Sequence, residues 1–235
     1  MCLLNKACCS CVQDVLYRKM NLASHKACRT LSKSPHLARR VQRFSFATND
    51  PFSVVQALPV KYVNKTLAKA LRNMTSLRKL VLIVGGGLDV LDGCTFKLEA
   101  LAGDFTHDES FRKFLNSQPS LTSVDFLRRY DDFSNLEATC LPNLTQVTAW
   151  FSSLTYLIPG RPVNEVISLG PADGSSSDLS FFTLSTSPIL KLAIDYSCLY
   201  PKSAHLLASI FPSLTHLLIE SRTYTVRGPP LLFIQ

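Results

Sequence analysis

No stretch of this sequence approaches the ~18 consecutive apolar residues of a membrane-spanning helix. The opening, Met1-Cys2-Leu3-Leu4 followed by Asn5 and Lys6, lacks the apolar core of a secretory leader. Catalytic signatures are missing too. There is no Gly-x-Ser-x-Gly elbow and no His-Glu-x-x-His pair. Gly85-Gly86-Gly87 follows an apolar run, but no Gly-Lys-Ser/Thr ending comes after it, so it reads as a strand-to-loop turn and not a phosphate cradle. The histidines (25, 36, 107, 205 and 216) do not fall beside acids or serines at catalytic spacings. The chain is therefore expected to be no enzyme and to use no cofactor.

Acidic residues are scarce at one end. Residues 1–46 contain nine Lys/Arg against Asp14 alone, which leaves sixteen of the 25 bases and sixteen of the 17 acids for the rest. The net charge of +8 thus belongs to the N-terminal segment. Its bases (Lys6, Arg18, Lys19, Lys26, Arg29, Lys33, Arg39, Arg40 and Arg43) have no interleaved aromatics on which bases could stack, so they read as a solvated face and not a nucleic-acid site. The missing leader and span predict an intracellular protein, cytoplasmic or nuclear, with no membrane partner and with its eight cysteines reduced.

Four of these residues have zinc-like spacing. Cys8, Cys11, His25 and Cys28 form C-x2-C-x13-H-x2-C. Against a metal, Cys8, Val12, Val15 and Leu16 fall on one side of a helix, which predicts a core-facing stripe, and Ser10 is a poor turn-former between the paired cysteines. No metal site is assigned. Cys94, Cys140 and Cys198 read as small packing residues.

What the sequence has is a repeat. Pro119-Ser120-Leu121-Thr122-Ser123-Val124-Asp125-Phe126 returns as Pro142-Asn143-Leu144-Thr145-Gln146-Val147-Thr148-Ala149 and as Pro212-Ser213-Leu214-Thr215-His216-Leu217-Leu218-Ile219. Looser copies centre on Leu77, Leu98, Val163 and, with one residue dropped, Leu190. The seven anchors, Leu77 to Leu214, lie 21, 23, 23, 19, 27 and 24 residues apart. A period of roughly 20–29 with L-x-x-L-x-L spacing marks a leucine-rich solenoid. The expected fold is an α/β solenoid of irregular leucine-rich repeats, with a parallel sheet on one face and helices on the other.

Between the strands, helices are expected at 7–20, at 25–33, after Asn64, from 203 to 211, and after Thr106-His107-Asp108-Glu109, read as a capping box with Thr106 at its head. Ser34-Pro35 starts an extended run in which Val41, Phe44 and Phe46 suggest a strand. Asn49-Asp50-Pro51 reads as a turn, and Gly170 to Asp178 as the longest irregular loop. The Pro opening each strand motif stops the preceding helix. Asn64, Asn73 and Asn143 open glycosylation-type triplets that read as repeat chemistry.

The N-terminal runs Cys9-Ser10-Cys11-Val12, Val15-Leu16-Tyr17-Arg18-Lys19-Met20-Asn21-Leu22, Ser34-Pro35-His36-Leu37-Ala38 and Val41-Gln42-Arg43-Phe44 resemble the end of an F-box and its linker. Leu141 to Thr145 and Leu157 to Val163 are similar to runs in fungal F-box-like proteins with degenerate leucine-rich repeats. That resemblance implies a remnant F-box segment and linker over 1–33 and a solenoid over 34–235. It implies the substrate-binding part of an F-box-type ubiquitin ligase subunit. A Skp1-type adaptor is expected as partner only where a complete F-box lies upstream, since the Leu-Pro helix pair that grips it is missing. The apolar C-terminal run, 228–235, has no polar cap, so truncation at either end is expected. The alternatives are a ligase-independent scaffold using the same face, or a zinc- or nucleic-acid-binding module led by the N-terminus.

Residues two, four and six beyond each anchor should stack into columns on the concave sheet. The six-position column reads Ile83, Asp104, Leu127, Trp150, Asp195 and Glu220, which sets the only Trp between acidic neighbours. With Asp125 and Thr148 from the four-position column and His216 from the two-position column, these give the expected site for a protein partner: Asp104, Asp125, Thr148, Trp150, Asp195, His216 and Glu220. A Trp150 tucked under the next loop beside Phe151 and Leu154 is the competing expectation.

Overall fold

The computed structural model describes residues 6–21, 23–47, 60–84, 88–106, 108–128, 133–134, 136–137, 139–170, 178–199 and 204–220. The expected turns at 49–51 and 85–87, most of the loop after Gly170, and the apolar run 228–235 lie outside them.

Among the described residues nine strands follow one another in chain order: β1 (Lys19–Met20), β2 (Arg43–Ala47), β3 (Lys79–Ile83), β4 (Ala100–Gly103), β5 (Ser123–Phe126), β6 (Gln146–Ala149), β7 (Glu165–Ser168), β8 (Lys191–Asp195) and β9 (His216–Glu220). Every neighbouring pair is parallel and the order in the sheet is the order in the chain. The sheet is open, and helices or 3-10 turns return the chain between most strands, as a solenoid requires.

The repeat grammar explains the core. The third residue beyond the anchor is Leu80, Leu101, Val124, Val147, Val166 or Leu192 on β3–β8, all buried, whereas Leu217 on the terminal strand β9 is 45% exposed. The fifth is Leu82, Gly103, Phe126, Ala149, Ser168 or Ile194. At Gly103 a Cβ would lie 2.1 Å from the Leu82 carbonyl oxygen and 2.8 Å from the Phe105 ring, so Phe105 occupies the space a larger side chain would need. Phe105 in turn stacks on Phe111 at 4.9 Å.

The anchor-plus-one residue ties each turn to the last through its backbone. Thr122 and Ser123 N–H both donate to the Glu99 carbonyl, Thr145 and Gln146 to Thr122, and Thr215 and His216 to Leu190. The hydroxyls of Thr122, Thr145 and Thr215 donate to those same carbonyls at 2.9–3.1 Å.

This ladder corrects one anchor. Leu190 and Lys191 N–H both donate to Asn164, so Leu190 holds the Thr122 position and the anchor is Ile189. Ile189 is 5% exposed and Leu190 36%. Dropping a residue between Pro188 and the anchor had shifted the count by one. The same grammar also extends upstream. Val41, Phe44 and Phe46 are the anchor and inward positions of β2, all buried, and Tyr17 and Met20 serve β1.

The helices are α1 (Lys6–Arg18), α2 (His25–Lys33), α3 (Pro35–Ala38), α4 (Val60–Asn73), α5 (Glu109–Asn116), α6 (Phe151–Leu157), α7 (Tyr196–Leu199) and α8 (Ala204–Ile210). Helix α2 has the expected bounds; Ser24 caps it and Cys28 and Leu31 are buried. Ser34-Pro35 opens α3 and not an extended run, because Pro fits the first helical turn. Val63, Leu67, Ala70 and Leu71 give α4 a 3.6-period buried face, and Asn73 Nδ2 donates to the Leu31 carbonyl at 3.1 Å. The cap of α5 is Asp108, whose Oδ1 accepts from Phe111 N–H at 2.9 Å. Thr106 is not the cap: its hydroxyl accepts from Arg128 at 3.1 Å. Strand β1 pairs with β2, and Cys28, Leu31, Leu37 and Val41 belong to one buried cluster.

Among the buried polar residues, Gln118 and Arg161 are the two longest side chains. Gln118 Oε1 accepts from Leu98 N–H at 2.9 Å and its Nε2 donates to the Phe96 carbonyl at 3.2 Å, so the residue before Pro119 clasps the preceding repeat. Arg161 is 1% exposed. Its guanidinium donates to the carbonyls of Cys140, Tyr156, Pro159 and Glu137 at 2.7–3.2 Å. Backbone dipoles stand in for a carboxylate there, and burial pushes its pKa down.

Helix α1 departs from expectation. Val12, Val15 and Leu16 are 47%, 73% and 65% exposed, where the stripe is expected to face the core; the side chain of Cys8, its fourth member, lies outside the described residues.

Candidate functional site

The sheet's outward columns are set by register. Asp125 on β5 aligns with Ala102 on β4 and Thr148 on β6, and Thr148 with Ile167 on β7. Asp104 follows β4 directly, one pleat beyond Ala102, so it lies diagonal to Asp125 at roughly 7–8 Å between backbones. Trp150 lies one pleat beyond Thr148 on the other side. Asp104, Asp125, Thr148 and Trp150 therefore form one contiguous patch across β4–β6.

Its neighbours on the same outward face, Ala100, Ala102 and Ser123, have short side chains, and Leu127 and Trp150 follow at the strand ends, so the patch reads as a shallow hollow between larger groups. Oδ1 of Asp104 and Oδ1 of Asp125 are both shut off from solvent without a hydrogen-bond partner. Burial pushes the Asp125 carboxyl up to about 6 from its ordinary 3.8. Other acids on the sheet are paired: Glu99 with Arg78 at 3.1 Å, and Glu165 with Lys191 at 3.1 Å. Among the described residues, Asp104 and Asp125 thus differ from these paired acids: each keeps one buried carboxylate oxygen without a hydrogen-bond partner.

Trp150 is half-buried. Its Nε1 donates to the Leu127 carbonyl at 3.0 Å, and its six-membered ring lies over Gly170, where a Cβ would come within 2.2 Å of it. The missing side chain of Gly170 makes room for the ring. Its column neighbours are Leu127 and Leu169, since Ala149 pairs with Ser168. The expected column had left out Leu169, the sixth residue after Val163. Trp150 therefore stands in an apolar row, and the acids Asp104 and Asp195 are one step further out on either side.

The remaining expected residues lie elsewhere. Asp195 is buried, and its Oδ1 accepts from both the N–H and the hydroxyl of Ser197 at 2.9 and 2.6 Å, opening α7. His216 is exposed on β9 with Nδ1 2.9 Å from the Thr215 hydroxyl, and Glu220 ends that strand half-buried. These three belong to the β8–β9 end and do not join the hollow. Sequence reasoning missed the short neighbours, Ala100, Ala102 and Ser123, which counting two and four residues from Leu98 and Leu121 would have found.

The zinc-like residues have different surroundings. Cys28 is fully buried and its thiol is pushed up to about 12, while Cys11 is exposed on α1. Among the described residues no group of three or more His, Cys, Asp or Glu is placed to hold a metal, and no described helix is long and apolar enough to cross a membrane.

No protein-family model matches the sequence, and no curated protein matches it. Among solved structures, the crystal structure of an internalin from Listeria monocytogenes is similar over 81% of this chain and 65% of its own, at 14% identity and a TM-score of 0.36. The chain thus spans just under two thirds of that protein's length.

Proposed function

We propose that this chain is a protein-recognition module whose concave face at β4–β6 receives an extended partner segment bearing a Lys or Arg next to an apolar residue. Asp125 carries the reading. Its carboxyl sits half-buried between Ala102 and Thr148 with Oδ1 unpartnered, and that state is unfavourable until a donor arrives. A cationic side chain laid into the hollow would satisfy Asp125 and Asp104 together, while Leu127 and the open face of Trp150 would take the apolar neighbour. Binding energy concentrates on Trp, Tyr and Arg, which suits Trp150 as the anchor on this chain and an Arg on the partner.

The finer reading is the substrate-binding part of an F-box-type ubiquitin ligase subunit. It is supported by the resemblance of the 9–22 and 34–44 runs to an F-box end and linker. A ligase-independent scaffold would use the same hollow, and co-purification with a Skp1-type adaptor separates the two.

The hollow itself is tested with a display library of short random peptides selected on the full chain. Selected peptides should share a Lys or Arg beside an apolar residue. Asp125→Asn should weaken them roughly tenfold or more, the scale of a charge-assisted hydrogen bond. Peptides without a common base, or equal binding to Asp125→Asn, would remove the hollow as the site.

A further inference from the structure

From Ser10 to Arg18, helix α1 is inside out. Ser10, Gln13, Asp14 and Tyr17 lie on its half-buried side. Arg40 fastens that side, donating Nη1 to the Ser10 carbonyl at 3.0 Å and to the Asp14 carboxylate, and Nη2 to Ser10 Oγ at 3.1 Å. The opposite side presents Cys11, Val12, Val15 and Leu16 to solvent. At 3.6 residues per turn these four cover an arc of about 140°. Arg18, two turns beyond Cys11, continues the same side. A helix that turns its polar side to its own protein and its aliphatic side outward is arranged for something outside the chain.

Charge selects the occupant. Between residues 6 and 43 the sole acid is Asp14, and Arg40 neutralises it. Arg18, Lys19, Lys26, Arg29, Lys33 and Arg39 are all exposed. A second copy of this chain would bring the same positive charge against itself. A nucleic acid would match the cations but leave the aliphatic side wet. An anionic bilayer offers both components: an apolar layer for Val12, Val15 and Leu16, and phosphates for cations spread over three elements and not gathered at one groove.

We propose that α1 is a membrane-surface helix that seats the protein on anionic lipid, with Val12, Val15 and Leu16 in the interface and Arg18 and Lys19 at the headgroups. The expectation of no membrane partner came from the lack of a spanning segment, which surface seating does not need. The inference is independent of the concave hollow, and none of these residues lines it.

The test is flotation of the full chain with phosphatidylcholine vesicles, with and without about 30% phosphatidylserine. The chain should float with the anionic vesicles only and be released by about 0.5 M salt. The double variant Val15→Ser, Leu16→Ser should lower vesicle affinity roughly tenfold, with an unchanged urea midpoint because both positions are exposed. Arg18→Glu with Lys19→Glu should do the same. No flotation, or flotation indifferent to the serine pair, overturns the proposal. So does an α1 side needed for capture of an acidic protein by a chain that ignores vesicles, or a dimer dispersed by the serine pair.

Discussion

Replacing Asp125 with Asn should make this protein more stable and a poorer binder at the same time. The carboxyl lies among Ala102, Ser123 and Thr148 with Oδ1 unpartnered, and burial raises it from 3.8 to about 6. Holding it ionised in the folded chain costs about 3 kcal/mol relative to the unfolded chain. The Asn amide carries part of the same desolvation, so a gain of about 1–3 kcal/mol is expected at pH 7. The sign with pH is fixed by linkage. Between about pH 4 and 6 the folded chain holds the Asp125 proton more tightly than the unfolded chain does. Wild-type stability therefore falls as pH rises through that window and is level above it as far as this group is concerned. Asp125→Asn removes this slope, so the two proteins should converge near pH 4 and separate by pH 7. Urea unfolding at pH 4, 5.5 and 7 reads it directly. Binding of a basic peptide should show the opposite trend, weakening as pH falls through about 6 and protonates the wild-type carboxylate. A variant no more stable than wild type at pH 7, with the same pH slope, would refute the claim that Asp125 is held ionised without a partner.

Two further outcomes test the frame. Ile189→Ala should cost about 2–4 kcal/mol and Leu190→Ala less than about 1, because the ladder makes Ile189 the buried anchor; equal losses in urea melts would restore the original count. Arg161→Ala should cost about 3–5 kcal/mol, since it strands the four carbonyls that the guanidinium now serves, and Arg161→Lys should recover little of it because an ammonium cannot match the planar fork; a lysine variant melting at the wild-type midpoint would show that the fork is unimportant.

The sequence by itself determined the repeat, the strand phase and the parallel sheet, because each is local. Leu121, Val124 and Phe126 alternate inward with period two, and Pro119 ends the helix before them, whatever the neighbouring turns do. The bounds of α2 were legible for the same reason: Ser24 opens it and Ser34-Pro35 follows it. Tertiary structure decided what depends on residues far apart in the chain. Ile189 replaced Leu190 only because Asn164 on the preceding turn accepts from both Leu190 and Lys191. Helix α1 has the periodicity of a core helix, yet a contact 26 residues away, Arg40 to Asp14, pulls its polar side inward and leaves its aliphatic side out. Asp125 and Asp195 are both acids on outward columns of the same sheet. Ser197 stands within reach of Asp195, while Asp125 faces Ala102 and Thr148 across strands with no partner for Oδ1. Hydrophobic period is written along the chain, but which polar group finds a partner is written across it.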